Sequence, residues 1–241
     1  MKNSLLDAFN THMILCRLSP KTQKAYLHAV KGLADFYHKS PDQLSDQQIQ
    51  YYLAYLIKDR KLAWSSCNVV FSGLRLFYLK IVKWDETSFT IPPRGRQKKL
   101  PIVLSCDEVQ RLIDAAKNIK HRVFLMTVYS AGLRVSEAVY LKPCHIESNR
   151  MMIRVEQGKG RKDRYTLLSK TLLHELRNYW RCYRPNEWLF FAQDRNRAMP
   201  VGTAQKIFYS AKQKAGITNG RGIHTLRYPN LNKIQTFFKD A

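Results

Sequence analysis

Three short basic segments carry the side chains best suited to chemistry in this sequence. In residues 132–137, Gly-Leu-Arg-Val-Ser-Glu, a glycine allows a sharp helix start with Arg134 in the first turn. Lys159 lies in a glycine-rich turn, and His224 precedes Arg227 by three positions, which puts both on one face of a helix. Arginine forks bind phosphate oxygens in pairs, while lysine and histidine can move protons. Together these residue types are the candidates for binding an anionic group and for moving protons.

Each segment taken alone also has an ordinary structural explanation. Arg134 could simply pair with Glu137, and the tip of a hairpin is a natural place for a lysine. A single His-x-Leu-Arg sequence is common. The functional interpretation therefore depends on finding all three segments in one chain and in this order.

The sequence lacks the motifs of several other kinds of catalytic site. The turn at residues 158–160 does not have the spacing of a P-loop, and neither GxSxG nor HExxH occurs. No His, Cys and carboxylate residues have the spacing of a metal site, so we expect no metal and no cofactor. Cleavage by a metal-activated water is disfavoured for the same reason. Five widely spaced cysteines without a CxxC pair indicate a reduced, intracellular protein.

The net charge points to a polyanionic partner. The 241 residues include 41 Lys and Arg against 18 Asp and Glu, which gives +23. Nucleic acid is the most obvious partner, because neutralised phosphates release condensed counterions. A ribosomal-type protein and a basic membrane-surface binder remain as alternatives. No apolar run has the length of a membrane span, so we expect no membrane insertion.

Residues 91–101 have the composition of a linker between two domains. This segment holds three prolines, one glycine and four cations, which break helices and keep the chain solvated. Such a basic linker could lie along a phosphate backbone, or it could be merely a solvated linker without a binding role. Its cations are Arg94, Arg96, Lys98 and Lys99.

The linker separates a predicted helical domain, residues 1–90, from a mixed domain, residues 102–241. Ser19-Pro20 and a Ser45/Gln48 capping box predict two helix starts in the first domain, and apolar stripes predict four helices in all. The overall class is mainly α with a small antiparallel β-sheet. In the second domain we predict a capping box at Ser105 and Glu108, helices over 122–129 and 134–141, strands over 151–155 and 165–168, and further helices near Ser169 and Gly202.

The three basic segments, in this order, resemble the tyrosine recombinase/integrase family, whose members cut and rejoin DNA through a phosphotyrosine without a metal. The resemblance covers nearly the whole chain: a Ser-Pro-Lys-Thr helix start in a helical core-binding domain, a basic linker and a catalytic domain. It implies that Arg134 and Arg227 are the two catalytic arginines, that Lys159 is the hairpin lysine and that His224 is the histidine of the HxLR box. Lys162 is the rival for the hairpin role.

The resemblance also implies the partners. We expect double-stranded DNA, further protomers in a tetrameric synapse on that DNA, and a cytoplasmic, nucleoid-associated location in a bacterium. Besides the four linker cations, the residues expected to contact DNA are Lys21, Lys24, Arg161 and Lys162.

The family pattern fails after Arg227. Members continue through a helix, a GH-like box and a nucleophilic tyrosine about thirty residues on, whereas 14 residues follow Arg227 here. Pro229 would interrupt a continuing helix. Tyr228 adjoins Arg227, and consecutive helical residues point about 100° apart, so we do not expect it to be the nucleophile. The tail looks as if a frameshift or truncation had replaced it.

Three functions are therefore compatible with the sequence. The first is a recombinase-family chain that cannot cleave by itself because it lacks the nucleophile. The second is a non-catalytic DNA-binding remnant that occupies recombination sites or competes with an intact relative. The third, disfavoured by the ordered basic segments, is an RNA- or ribosome-associated protein.

Overall fold

The computed structural model describes residues 2–93, 102–156 and 163–227. The chain divides into two compact units, residues 1–98 and 99–241. Each unit has its own hydrophobic core. Helices dominate the described residues and a single antiparallel sheet accompanies them, which confirms the predicted fold class. Within these ranges no helix combines the length and apolar character that a bilayer-spanning segment needs.

The first unit is a bundle of four helices whose starts follow the predicted signals. The hydroxyl of Ser19 accepts a hydrogen bond from the backbone of Thr22, and Ser45 forms the expected reciprocal capping box with Gln48. The helices are α1 (Lys2–Leu15), α2 (Pro20–Tyr37), α3 (Asp46–Lys58) and α4 (Trp64–Phe77), and a π-helical turn (Tyr78–Val82) follows the last of them.

The core of the first unit draws buried residues from all four helices. Helices α2 and α4 approach closely at Gly73, where an added Cβ atom would lie 3.1 Å from the Cα atom of Tyr26, so a larger residue would force the two helices to shift slightly apart. Phe9 and Phe77 meet edge to face within this core. Ile14 and Ile57, which belong to the predicted apolar stripes, are 54% and 46% exposed, because each lies in the final turn of its helix.

Among its described residues, the second unit combines five α-helices and two short 3₁₀ helices with the sheet. Its central helix, Ile119–Ser130, is buried on all sides from Val123 to Ser130. It packs against the helix before it, the helix after it and the helix that follows the sheet. The capping box at Ser105 and Glu108 forms as predicted. The helices are α5 (Cys106–Asp114), α6 (Ile119–Ser130), α7 (Val135–Val139), α8 (Lys170–Tyr183) and α9 (Val201–Lys214).

The sheet has three antiparallel strands in the order β1-β2-β3. The predicted hairpin forms, and its register pairs Met152 with Leu167 and Val155 with Arg164. A short first strand, which the sequence analysis did not predict, pairs Ile146 with Ile153. The strands are β1 (Ile146–Glu147), β2 (Met152–Val155) and β3 (Arg164–Leu167).

Candidate functional site

Arg134 is positioned by the sharp turn that joins α6 to α7. Gly132 has a φ of +59°, the left-handed conformation that ends helices without strain for glycine, and the amide of Leu133 donates back to the carbonyl of Val128. Leu133 and Val135 are buried on either side of the arginine. Arg134 therefore caps α7 rather than lying within it, and the predicted helix over 134–141 was wrong at both ends, since α7 begins one residue later and ends two residues earlier.

Glu137 holds two arginines at once. Its side chain is 5% exposed, and its two oxygens accept from the Arg134 guanidinium at 2.7 Å and from the Arg164 guanidinium at 2.8 Å. The backbone amide of Arg134 also donates to it, at 2.8 Å. Burial by itself raises the pKa of Glu137, but these hydrogen bonds and the two positive charges outweigh burial, so the pKa lies below its usual value. The carboxylate therefore stays ionised and fixes both guanidinium groups.

The third basic segment reaches the same turn. Residues Ile223–Arg227 form a 3₁₀ helix in which Ile223 and Leu226 are buried, while His224 is exposed. The Nε atom of Arg227 donates to the carbonyl oxygen of Gly132 at 3.1 Å, although 95 positions separate them. In a 3₁₀ helix residues i and i+3 are aligned, so His224 and Arg227 share a face as predicted, on a tighter helix than the sequence suggested.

Helix α9 fixes the segment that leads into His224. The ammonium group of Lys212 donates to the carbonyls of Thr218 and Gly220, at 2.9 and 2.8 Å, and Gln205 accepts from the amide of Ile223 at 3.4 Å. Gly220 has a φ of +81°, and a Cβ atom there would lie 2.9 Å from the methyl group of Thr225. The path of the chain before the HxLR segment thus depends on a glycine and on two polar side chains of one helix.

Most N–H groups of the Arg134 and Arg227 guanidinium groups have no hydrogen-bond partner among the described residues. Each guanidinium has five N–H groups, and the hydrogen bonds among the described residues use one on Arg134 and one on Arg227. The Arg134 side chain is 30% exposed, so solvent and a ligand can reach it. Two guanidinium groups oriented by a carboxylate and a carbonyl, with donors to spare, are suited to binding one phosphate group.

The other predicted site residues have mixed outcomes. Lys21 and Lys24 are exposed on the first turns of α2, in the first unit. Arg94, Arg96, Lys98, Lys99, Lys159, Arg161 and Lys162 lie outside the described residues. Where the chain is described, no three His, Cys, Asp or Glu side chains form a group that could hold a metal ion.

Two site residues were not among the sequence predictions. Glu137 was considered only as a pairing partner that would make Arg134 structural, yet it orients Arg134 and leaves donors free. Arg164 begins β3, and its Nη1 atom is buried without a hydrogen-bond partner among the described residues. The three-residue spacing of Arg134 and Glu137 could have indicated their ion pair. No sequence pattern indicates the ion pair between Arg164 and Glu137, because 27 positions separate them.

A buried histidine, His145, directly precedes β1. His145 is 4% exposed; its Nδ1 atom accepts from the backbone amide of Lys142 at 3.2 Å, and its Nε2 atom lies 3.3 Å from a Glu156 oxygen. This network assigns the proton to Nε2 in the neutral ring. Burial lowers the pKa of His145 most, and the charges of Arg154 and Lys142 add to this against the opposing Glu156 carboxylate.

We expect acid to destabilise the second unit through His145. Its folded-state pKa lies below the unfolded value of about 6.5, so the unfolded chain binds more protons as the pH falls. The free energy of unfolding should therefore decrease from about pH 6.5 downward, by at most about 1.4 kcal/mol per pH unit for this group. Urea titrations between about pH 7 and pH 5.5 measure the change, above the range where most carboxylates titrate.

His145→Gln should reduce this acid sensitivity, although His121, whose pKa burial also lowers, will keep part of it. The control is His174→Gln at an exposed position of α8, which shows the effect of replacing a histidine by glutamine away from this buried network. An unaltered profile in His145→Gln would contradict the assignment.

Sequence comparisons identify the family. The profile of the Phage integrase family matches residues 103–230, and that of the phage integrase N-terminal SAM-like domain matches residues 5–86. A predicted integrase/recombinase of Sinorhizobium fredii is 46% identical over 187 residues, which are 77% of this chain and 61% of the relative. The tyrosine recombinase XerA of Pyrococcus horikoshii is 30% identical, over 95% of this chain and 78% of the relative. The chain therefore belongs to the phage integrase family, the tyrosine recombinases.

Solved structures share the fold. A lambda integrase tetramer bound to a Holliday junction aligns with 93% of this chain and 67% of its own, with a TM-score of 0.73 and 17% identity. A lambda integrase dimer bound to a COC' core site gives a TM-score of 0.72 and 18% identity. The chain spans 61% of the length of the Sinorhizobium fredii relative described above. It spans 59% of a second integrase/recombinase from that organism, which is 47% identical over 148 residues.

Proposed function

We propose that this chain acts in site-specific DNA recombination, by binding duplex DNA and holding one phosphodiester between Arg134 and Arg227. The hydrogen bond from Arg227 to the carbonyl of Gly132 carries the proposal, because it holds Arg227 at the turn that leads into Arg134, although the two arginines are remote in sequence. Family membership supports a role for this pair in recombination, since the integrase-family profile covers both arginines.

Each residue has a distinct role in the proposed chemistry. In-line attack on a phosphodiester builds negative charge on the two non-bridging oxygens, which the guanidinium groups of Arg134 and Arg227 would neutralise. Lys159 would protonate the departing 5′ oxygen, and His224 would assist proton transfer. Glu137 would keep Arg134 oriented throughout.

The remaining contacts to DNA would come from both units and the segment between them. We propose a core-binding domain over residues 1–90, a basic linker over 91–101 and a catalytic domain over 102–241. The exposed Lys21 and Lys24 on α2 suit contacts to phosphate, as sequence-independent electrostatic binding requires. The linker and hairpin cations would add to them: Arg94, Arg96, Lys98, Lys99, Arg161 and Lys162.

Double-stranded DNA and further recombinase protomers are the proposed partners. Support comes from the similarity in fold to a lambda integrase that forms a tetramer on a Holliday junction. Action on DNA in a bacterium would place the protein in the cytoplasm, with the nucleoid.

The proposed chemistry also needs a nucleophile. The last 14 residues of the chain contain one tyrosine, Tyr228, which directly follows Arg227. We propose that this chain taken alone binds DNA without cleaving it. The alternative role is that of a non-catalytic DNA-binding remnant, which would occupy recombination sites or compete with an intact relative.

The phosphate site is tested by duplex binding. Arg134→Gln combined with Arg227→Gln should weaken affinity for any duplex sequence and lower the slope of log K against log salt by about 0.9, because the two arginines are proposed to neutralise a single phosphate. Fluorescence anisotropy of a labelled duplex of arbitrary sequence, repeated at several salt concentrations, measures the slope.

A charge-matched control is Lys170→Ala with Arg177→Ala, two exposed cations of α8. If this control lowers the slope as much as the arginine variant does, the arginines are not a phosphate site and only bulk charge matters.

A covalent link between the chain and DNA should not form. Oriented arginines stabilise a transition state only when an in-line nucleophile is present. A substrate nicked near the cleavage point would trap any adduct as a shifted band on a denaturing gel. An adduct that disappears in Tyr228→Phe would identify Tyr228 as the nucleophile and contradict the proposal; one that persists would reveal another nucleophile.

A further inference from the structure

A basic cleft opens in the second unit, apart from the two arginines. It has a volume of about 510 Å³ and lies between the end of α5, the start of α6 and one face of α9. No carboxylate is among the residues that line it. Its polar lining includes Lys117, His121, Thr203, Lys206, Ser210 and Lys214.

The positive charge of this cleft is not neutralised from within the described structure. Lys117, Lys206 and Lys214 are exposed, and none forms an ion pair with a described carboxylate. Burial lowers the pKa of His121, and the neighbouring charges of Lys120 and Lys214 lower it further. Like charges gathered without counter-charges raise the local potential and attract an anion.

The groups between the lysines are hydrogen-bond donors. Thr203 and Ser210 contribute exposed hydroxyls on the same helix face as Lys206 and Lys214, because positions 203, 206, 210 and 214 recur at helical spacing. Hydroxyl and ammonium groups are common ligands of phosphate oxygens in protein–DNA contacts.

The length of this face fits a row of phosphates better than a single ion. Lys206 and Lys214 are eight residues apart on α9, which corresponds to about 12 Å along the helix axis. One DNA strand advances about 3.4 Å per phosphate, so about three phosphates occupy the same length of the duplex axis. The opposite side of α9, through Gln205 and Lys212, holds the segment that carries His224 and Arg227.

We propose that this cleft is a second DNA-contact surface, which binds the sugar-phosphate backbone of the duplex beyond the phosphate held by Arg134 and Arg227. The inference rests on the proposed function, since it takes duplex DNA as the partner. Residues 102–241 hold 25 basic and 11 acidic residues, and this excess favours a long polyanion over a short acidic peptide. A phosphate surface carries no sequence preference, so the target site need not be known.

The test is a triple variant, Lys117→Ala, Lys206→Ala and Lys214→Ala, compared with the unaltered chain. Anisotropy titrations of a 30-base-pair duplex of arbitrary sequence at about 50–200 mM salt should show a salt slope smaller by about 2.7, since each phosphate contact contributes about 0.9. Lysine acetylation followed by mass spectrometry should show that DNA shields Lys206 and Lys214 but leaves Lys170 on α8 reactive.

The matched control is Lys170→Ala, Arg177→Ala and Arg181→Ala, which removes three exposed charges from α8. An unchanged slope in the cleft variant, with normal binding by the unaltered chain, overturns the cleft and leaves the proposed function standing. If the unaltered chain does not bind duplex DNA, both are overturned. If poly-glutamate binds the unaltered chain but not the cleft variant while the DNA slope stays the same, the cleft takes an acidic protein and the proposal is wrong.

Discussion

Raising the salt concentration from about 50 to 200 mM should weaken the affinity of this chain for duplex DNA by roughly 10³–10⁵-fold, if it makes about 6–10 phosphate contacts. The reason is the release of condensed counterions, which contributes less free energy as bulk salt rises. A chain with 41 basic and 18 acidic residues has ample charge for this number of contacts.

Anisotropy of a labelled duplex at four or more salt concentrations gives the slope, and the slope divided by about 0.9 counts the phosphates. Urea unfolding at the lowest and highest salt is the control, because it shows whether the protein itself changes. Affinity that stays constant over this range would remove the electrostatic basis of the proposed function.

Glu137→Ala should destabilise the second unit by about 2–3 kcal/mol. This carboxylate is nearly buried and accepts from both arginines and from the backbone amide of Arg134, so its loss leaves several donors unpaired. This is less than the about 3–5 kcal/mol typical of a broken buried ion pair, because Arg134 and Arg164 are 30% and 35% exposed and solvent replaces part of the interaction. Urea denaturation followed by circular dichroism measures the loss.

The matched control is Glu175→Ala. Among the described residues, Glu175 forms an ion pair only with Arg122, at 3.1 Å, and that arginine is 40% exposed, so about 0–1 kcal/mol is expected. Arg164→Met should cost less in the Glu137→Ala background than in the unaltered chain, with a coupling of about 1 kcal/mol or more. Equal effects of Glu137→Ala and Glu175→Ala would show that the two-arginine arrangement contributes nothing special.

Several features of this protein could be predicted from the sequence because they depend on residues only a few positions apart. The capping boxes at Ser45 and Ser105 need a hydroxyl and a glutamine or glutamate three residues later, and both form. The β2–β3 hairpin follows from two short strand patterns around a glycine-rich turn, and it also forms. The family, too, was apparent from three short segments.

Short elements were harder to predict. Strand β1 has two residues, too few for any periodic pattern, and only its pairing with β2 makes it a strand. The HxLR segment is a 3₁₀ helix because buried Ile223 and Leu226 and the contacts from Gln205 and Lys212 fix its path. Neither outcome is encoded by local propensity alone.

The sequence by itself determined which side chains could bind a phosphodiester, since residue type and order set the available donors. Only the tertiary structure decided how they are held: Arg227 donates to Gly132, and Glu137 joins Arg134 to Arg164. It also gathers lysines from α9 and from the loop before α6 into one cleft. The physical reason is that a cap or a turn is closed by hydrogen bonds within a few residues, whereas these contacts form only once the buried core around α6 has brought distant segments together.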